Sequence, residues 1–167
     1  MKDGFIKVAA VTPRVSVAGV SENTKEIKRL IDVTMDDQGA VIVVFPELCI
    51  TGYSCGDLFH QKRLLDMALD ALLEIAEHTK GKQGLVFVGL PYQLCGRLYN
   101  VSAAISDGAV LGLVPKRHIP AYGEFYETRY FAPGPVEPVS VGFPDGSGTL
   151  MGTDILFTCN DIPELSV

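Results

Sequence analysis

Two short apolar runs constrain this chain more than anything else in it. Ala40–Phe45 and Leu85–Leu90 are uninterrupted, rich in β-branched and aromatic residues, and each is followed at once by a proline. Runs of that length and composition are strands buried on both faces, since a strand with one wet face would alternate polar and apolar residues. Between them Leu64, Leu65, Ala68, Leu69, Leu72, Leu73 and Ala76 recur at helical spacing, ending near Gly81. A buried strand, an amphipathic helix and a second buried strand point to a layered α/β domain.

The flanking segments extend that pattern. Phe5–Val11 has the composition of a first strand, and Pro13–Gly19 of a loop. Asn23 with Glu26 fits a capping box, after which Ile27, Leu30, Ile31, Thr34 and Met35 mark a helix that Gly39 can stop. Arg97–Ser106 and Ala109–Val114 flank Asp107-Gly108, a strong hairpin turn signal. Val139–Phe143 and Thr149–Met151 can pair across Pro144–Gly148, Tyr122–Tyr130 reads as a helical turn, and Asp154–Cys159 reads as a last strand. Helices early and hairpins late predict a mixed sheet. With 167 residues the chain is one domain, large enough to bury a core without disulfides or metal.

Charge narrows the function. Fourteen Lys and Arg against 20 Asp and Glu give a net charge of −6, with no basic field for nucleic acid or an anionic membrane. No apolar run reaches the roughly 18 residues of a spanning helix, and no apolar signal core follows Met1. Cys49, Cys55, Cys95 and Cys159 have irregular spacing, contain no C-x-x-C and do not cluster with His60, His78 or His118. We expect four reduced thiols, no metal site and a cytoplasmic protein.

Chemistry gathers where strands end. Glu47 follows the most hydrophobic strand, where burial raises a carboxyl pKa toward the range of a general base. On position alone it reads more readily as a loop-facing or helix-cap acid. Lys116 follows Val110–Val114 in the same way; a lysine there can steady an oxyanion, or be a solvated basic turn. An acid and a base at strand ends can converge although far apart in sequence. Between Tyr122 and Phe131 five aromatic residues alternate with Glu124, Glu127 and Arg129, the composition of a small polar pocket or an interface.

Taken together, several segments resemble the nitrilase, or carbon–nitrogen hydrolase, superfamily. They are Phe45-Pro46-Glu47-Leu48-Cys49-Ile50-Thr51-Gly52-Tyr53, Asp57-Leu58-Phe59, Val88-Gly89-Leu90-Pro91, Leu98-Tyr99-Asn100 and the run from Pro115-Lys116 to Phe131. The resemblance is closest to the glutaminase domains of the glutamine-dependent NAD synthetase family and covers essentially the whole chain. It implies an α/β fold, the four-layer αββα sandwich of that superfamily, and catalysis by Glu, Lys and Cys. Glu47 then resembles the general base, Lys116 the oxyanion-stabilising lysine, and Glu124, eight residues later, the second glutamate that positions the lysine. Tyr122 and Phe125 resemble contacts to substrate glutamine, with Tyr53 lining the same pocket. Implied too are a thioester intermediate, release of ammonia for NAD biosynthesis, and a homo-oligomeric parent enzyme.

The resemblance also implies what residues 1–167 leave out. The family's nucleophile lies in a context like Ile-Cys-Glu-Asp-Leu-Trp, and no such segment is present. Leu165-Ser166-Val167 resembles the start of that strand, so residues 1–167 are expected to be the N-terminal part of the hydrolase domain, inactive alone. Cys159-Asn160-Asp161 mimics Cys-Glu-Asp but sits one strand too early. No Ser-Gly-Gly-x-x-Ser or Walker-type loop occurs, so no cofactor is expected in this chain; ATP and Mg2+ belong to a synthetase domain absent from it. A nitrilase-type amidase or carbamoylase, and a non-catalytic assembly module, are the alternatives.

Overall fold

The computed structural model describes residues 4–162 and 165–167. The elements run β1 (Val8–Ala10), α1 (Val20–Ile31), β2 (Ile42–Val44), α2 (Lys62–His78), β3 (Leu85–Leu94), β4 (Arg97–Ser106), β5 (Ala109–Pro115), β6 (Val139–Gly142) and β7 (Gly148–Met151). One seven-stranded sheet takes them in the order β1-β2-β3-β4-β5-β7-β6. β1, β2 and β3 are parallel, and α2 spans the crossover from β2 to β3. β3–β4 and β4–β5 are antiparallel hairpin pairs, so the sheet is mixed. Asp107 (φ 46°) and Gly108 (φ 82°) both take left-handed backbone between β4 and β5, the geometry of a tight hairpin.

The two faces of the sheet differ. Val43, Val86, Val88, Ala103, Ile105 and Leu113 alternate onto one face and are fully buried in one cluster with Ile27 and Ile31 of α1 and Leu72 and Ile75 of α2. Burying such side chains contributes about 1.5–3 kcal/mol each, which sets the helix layer on this face. On the other face Phe157 packs edge-on to Phe87 at 5.8 Å, and a Cβ on Gly112 would stand 3.0 Å from the Phe157 ring. Val8 and Val44 stay exposed there. The described residues thus make one helix layer and one sheet, two of the four layers expected.

Local differences from the sequence reading have physical causes. Asn23 does not cap α1. The helix starts at Val20, and Asn23 is buried within it, accepting the Ser16 N–H at 2.7 Å and donating to the carbonyls of Ser16 and Ile50 at 2.8 and 3.0 Å. Glu26 pairs with Arg29 instead of the helix start. A π-helical turn over Asp32–Asp37 follows, with Asp32 against His78 and Lys82 at 2.8 and 3.0 Å. Pro91 does not end β3. Past Phe87 that strand has a strand partner on one side only, an edge-like position that tolerates proline. Asp154–Cys159 forms no extended strand: Phe157 turns onto the sheet face, and a single bridge joins Thr158 to Ser166.

Candidate active site

Glu47 is held by the turn that leaves β2. Phe45 N–H bonds to the Phe87 carbonyl at 2.9 Å and Ile50 N–H to the Gly89 carbonyl at 3.2 Å, stitching the turn to β3. Gly89 makes this approach possible, because a Cβ there would lie 2.8 Å from the Pro46 carbonyl and closer still to Leu48 N. Leu48 is fully buried with φ 53°, so a bulky residue takes the left-handed conformation that lets the chain reverse directly after Glu47. Asn23 grips the far end of the turn through the Ile50 carbonyl.

Lys116 leaves β5 from the other side. Its N–H bonds to the Asn100 carbonyl at 2.8 Å and its carbonyl accepts from Gly134 N–H at 3.0 Å. Its Nζ donates to Glu47 Oε1 at 2.8 Å and to both oxygens of Glu127 at 2.9 Å. Glu127 opens a 3₁₀ turn, Glu127–Arg129, and its side chain is only 6% exposed, against 41% for Glu47. Its carbonyl accepts the Phe131 N–H at 2.8 Å, and Phe131 meets Phe59 edge-on at 5.0 Å. Tyr53 donates its hydroxyl to Glu127 Oε1 at 2.8 Å. Asn100, only 3% exposed, donates its Nδ2 to Glu47 Oε1. Arg129 pairs with Asp57 at 3.0 Å, tying the Glu127 turn to the 3₁₀ turn that precedes α2.

The electrostatics follow from this chain of contacts. Burial alone would lower the Lys116 pKa, but the bonds to Glu47 and Glu127 outweigh it and hold the ammonium above its ordinary lysine value. Partial burial, with the Glu127 carboxylate behind it, pushes the Tyr53 phenol up. A cation fixed between two carboxylates can meet negative charge developing on a carbonyl oxygen without reorganising.

Two depressions meet at this cluster. A trough of about 300 Å³ runs along Pro46, Glu47, Gly89, Ser102 and Lys116. A second, of about 530 Å³, is lined by Tyr53, Tyr122 and Phe125 together with Glu47, Lys116 and Glu127. Both fall in the size range of small-ligand sites. Tyr122 and Phe125 stack edge-on at 5.6 Å on its wall.

Glu47, Lys116, Tyr53, Tyr122 and Phe125 therefore come together, but Glu124 does not join them. Glu124 is exposed, and the glutamate on Lys116 Nζ is Glu127, eleven residues after the lysine. The reason is local: Glu127 starts the turn that Phe131 anchors against Phe59, whereas Glu124 lies in the solvent-facing loop before it. Local spacing does not separate the two glutamates; the packing of Tyr130 and Phe131 against Phe59 does. Asn100 stands in the resembling segment Leu98-Tyr99-Asn100, but nothing in its spacing shows that it reaches Glu47. None of the four cysteines lines either depression. Cys49 is buried against Gly89, and burial pushes its thiol up to about 12. Among the described residues no group of three His, Cys, Asp or Glu side chains is placed to hold a metal ion. Among the described residues no helix is long and apolar enough to cross a membrane.

Comparison with known proteins gives this geometry a lineage. Residues 7–161 match the family model for carbon-nitrogen hydrolases. The chain is 39% identical over 160 residues, 96% of its length, to a glutamine-dependent NAD(+) synthetase of Mycobacterium tuberculosis, and 36% identical over 159 residues, 95% of its length, to that of Mycobacterium leprae. It spans 23% of each of those proteins. A crystal structure of a glutamine-dependent NAD(+) synthetase from Cytophaga hutchinsonii superposes with a TM-score of 0.85 at 28% identity, over 93% of this chain and 26% of that one. An amidase from a Nesterenkonia species shares the fold at a TM-score of 0.65 and 20% identity, over 91% of this chain and 56% of that one.

Proposed function

The chain belongs to the carbon–nitrogen hydrolase family, and from that premise we propose that it forms the base- and lysine-bearing part of a glutaminase site. The reaction releases ammonia from the side-chain amide of glutamine. The observation that carries this reading is Lys116 Nζ, fixed between Glu47 and Glu127 at 2.8 and 2.9 Å beside a pocket walled by Tyr53, Tyr122 and Phe125.

The chemistry follows from the placement. A thiol in the trough along Gly89 and Ser102 loses its proton to Glu47, and the thiolate attacks the amide carbon of glutamine. The oxyanion that develops faces the Lys116 ammonium. Collapse expels ammonia, returns the proton through Glu47 and leaves a thioester, which water converts to glutamate. The aromatic pocket orients the amino-acid part of the substrate. Because none of the four cysteines lines the trough, the 167 residues alone are expected to release no ammonia from glutamine. A thiol from outside them completes the site, and they act as the N-terminal part of the hydrolase domain. In a longer polypeptide of the kind its relatives represent, the ammonia feeds amidation of deaminated NAD to NAD(+). ATP and Mg2+ then serve a separate synthetase domain, and the enzyme works in the cytoplasm as a homo-oligomer.

The test compares two reactions of such a polypeptide. Glu47→Ala and Lys116→Ala should each abolish glutamine-dependent NAD formation and leave ammonia-dependent formation intact. An equal loss of both would make the residues structural. Steady ammonia release by residues 1–167, abolished by Cys159→Ala, would overturn the assignment of the nucleophile to another segment.

A further inference from the structure

Glu47 presents its two carboxylate oxygens unequally. Oε1 receives two donors, Lys116 Nζ at 2.8 Å and the Asn100 amide, whereas among the described residues Oε2 takes no hydrogen bond. Asn100 is only 3% exposed, so its rotamer is fixed by packing. The same residue offers its backbone carbonyl to Lys116 N–H at 2.8 Å. One asparagine on β4 therefore sets both the carboxylate that ends the β2 turn and the residue that carries the ammonium.

We propose that Asn100 is the positioning residue of the general base: it commits Glu47 Oε1 to a fixed pair of donors and leaves Oε2 as the oxygen that takes the proton. This rests on the glutaminase reading, in which Glu47 is the base. The proton balance is simple. The thiol S–H proton passes to Oε2 while the thiolate pair forms the S–C bond and the C=O pair moves onto oxygen. On collapse the C–N bond breaks, and Oε2 returns its proton to the departing nitrogen. Oε1 keeps both donors throughout, so the carboxylate need not rotate between the two transfers.

The chemistry of the amide suits this work. It adds a hydrogen bond without adding charge. A second cation at position 100 would stabilise the ionised carboxylate further and weaken it as a base, and an acid there would repel it. A neutral donor aims Glu47 and leaves it able to take a proton. Holding a reacting group within about 1 Å of its working position is worth on the order of 100-fold in rate.

Two variants separate positioning from packing. Asn100→Leu removes the donor at similar volume, Asn100→Asp replaces it with an acceptor, and both keep the backbone carbonyl that binds Lys116. In the glutamine-hydrolysing polypeptide, kcat is expected to fall about 100-fold for Asn100→Leu and further for Asn100→Asp. KM should stay within about twofold, with ammonia-dependent synthesis intact. A raised KM at unchanged kcat would make Asn100 a substrate contact, and wild-type kcat in Asn100→Leu would make it a spectator. Losses in kcat that merely track the folded fraction would make it structural. Each of these overturns the proposal. If the polypeptide turned over another amide but not glutamine, the glutaminase reading would fail, and the same kcat comparison on that amide would still decide the role of Asn100. A second measurement needs no turnover. In the 167-residue protein the Asn100 Nδ2 protons should exchange slowly by NMR and lose that protection in Glu47→Ala. Protection unchanged in Glu47→Ala would also overturn the proposal.

Discussion

Neutralising Glu127 should cost more than neutralising any other acid near the site, and the structure sets the size. Lys116 Nζ donates to both Glu127 oxygens at 2.9 Å, and the Tyr53 hydroxyl adds a third bond at 2.8 Å. At an effective dielectric of 20, one unit-charge pair at that distance is worth about 6 kcal/mol, a ceiling that desolvation reduces. Glu127→Gln keeps the shape and one acceptor, and Glu47 remains on the ammonium, so the Glu47–Lys116–Glu127 triad passes from one net negative charge to neutral. What is lost is the charge assistance of two bonds, about 2 kcal/mol. For a domain of this size that lowers Tm by about 4–8 °C. Glu124→Gln, on an exposed side chain, should stay within about 0.5 kcal/mol. Urea and thermal unfolding of the two variants at pH 7, followed by circular dichroism, measures both. The pH arm has a defined sign. Because the Lys116 pKa is raised on folding, its stabilisation is fully present below its unfolded value of 10.5 and is lost as pH rises through the higher folded value. The gap between wild type and Glu127→Gln should therefore narrow above pH 10.5. Equal losses for the two variants, or a larger one for Glu124→Gln, would refute the assignment of Glu127 as the partner of Lys116.

Two further outcomes test the surroundings. Gly89→Ala places a methyl 2.8 Å from the Pro46 carbonyl, against backbone that cannot fold away. It should cost about 2–3 kcal/mol in urea unfolding; a loss below about 0.5 kcal/mol would mean that the Glu47 turn shifts freely. Iodoacetamide at pH 8, read by peptide mass spectrometry, should modify exposed Cys95 first and leave Cys49 unmodified, since Cys49 is buried and its thiol is pushed up to about 12. Labelling of both at one rate would contradict that burial.

The parts of this fold that repeat were legible in the sequence. The apolar runs at Ala40–Phe45 and Leu85–Leu90 supply β2 and β3, although burial on both faces fails at Val44, which stays exposed; the leucine spacing supplies α2, and Asp107-Gly108 supplies the hairpin, because these patterns report a buried face or a backbone conformation directly. The errors lie where a side chain finds a distant partner. Asn23 has the chemistry of a cap, but two loops compete for it and win. Pro91 looks like a stop until the register shows that β2 pairs with β3 only as far as Phe87. At the site, strand ends and resemblance brought Glu47 and Lys116 forward. The choice between Glu124 and Glu127 instead depended on which of them the Phe59–Phe131 contact draws inward, and local spacing does not encode that.

Leu48 sits directly after the base, fully buried and in a left-handed conformation. Its backbone favours glycine and its surroundings favour a large aliphatic side chain, two demands that no single residue satisfies. Glycine would relax the turn and open a cavity costing about 2–5 kcal/mol, while valine or isoleucine would stiffen against the positive φ. Mutational drift at position 48 is therefore boxed in from both directions, and the route by which Glu47 is delivered can change only if the turn and the core beneath it change together.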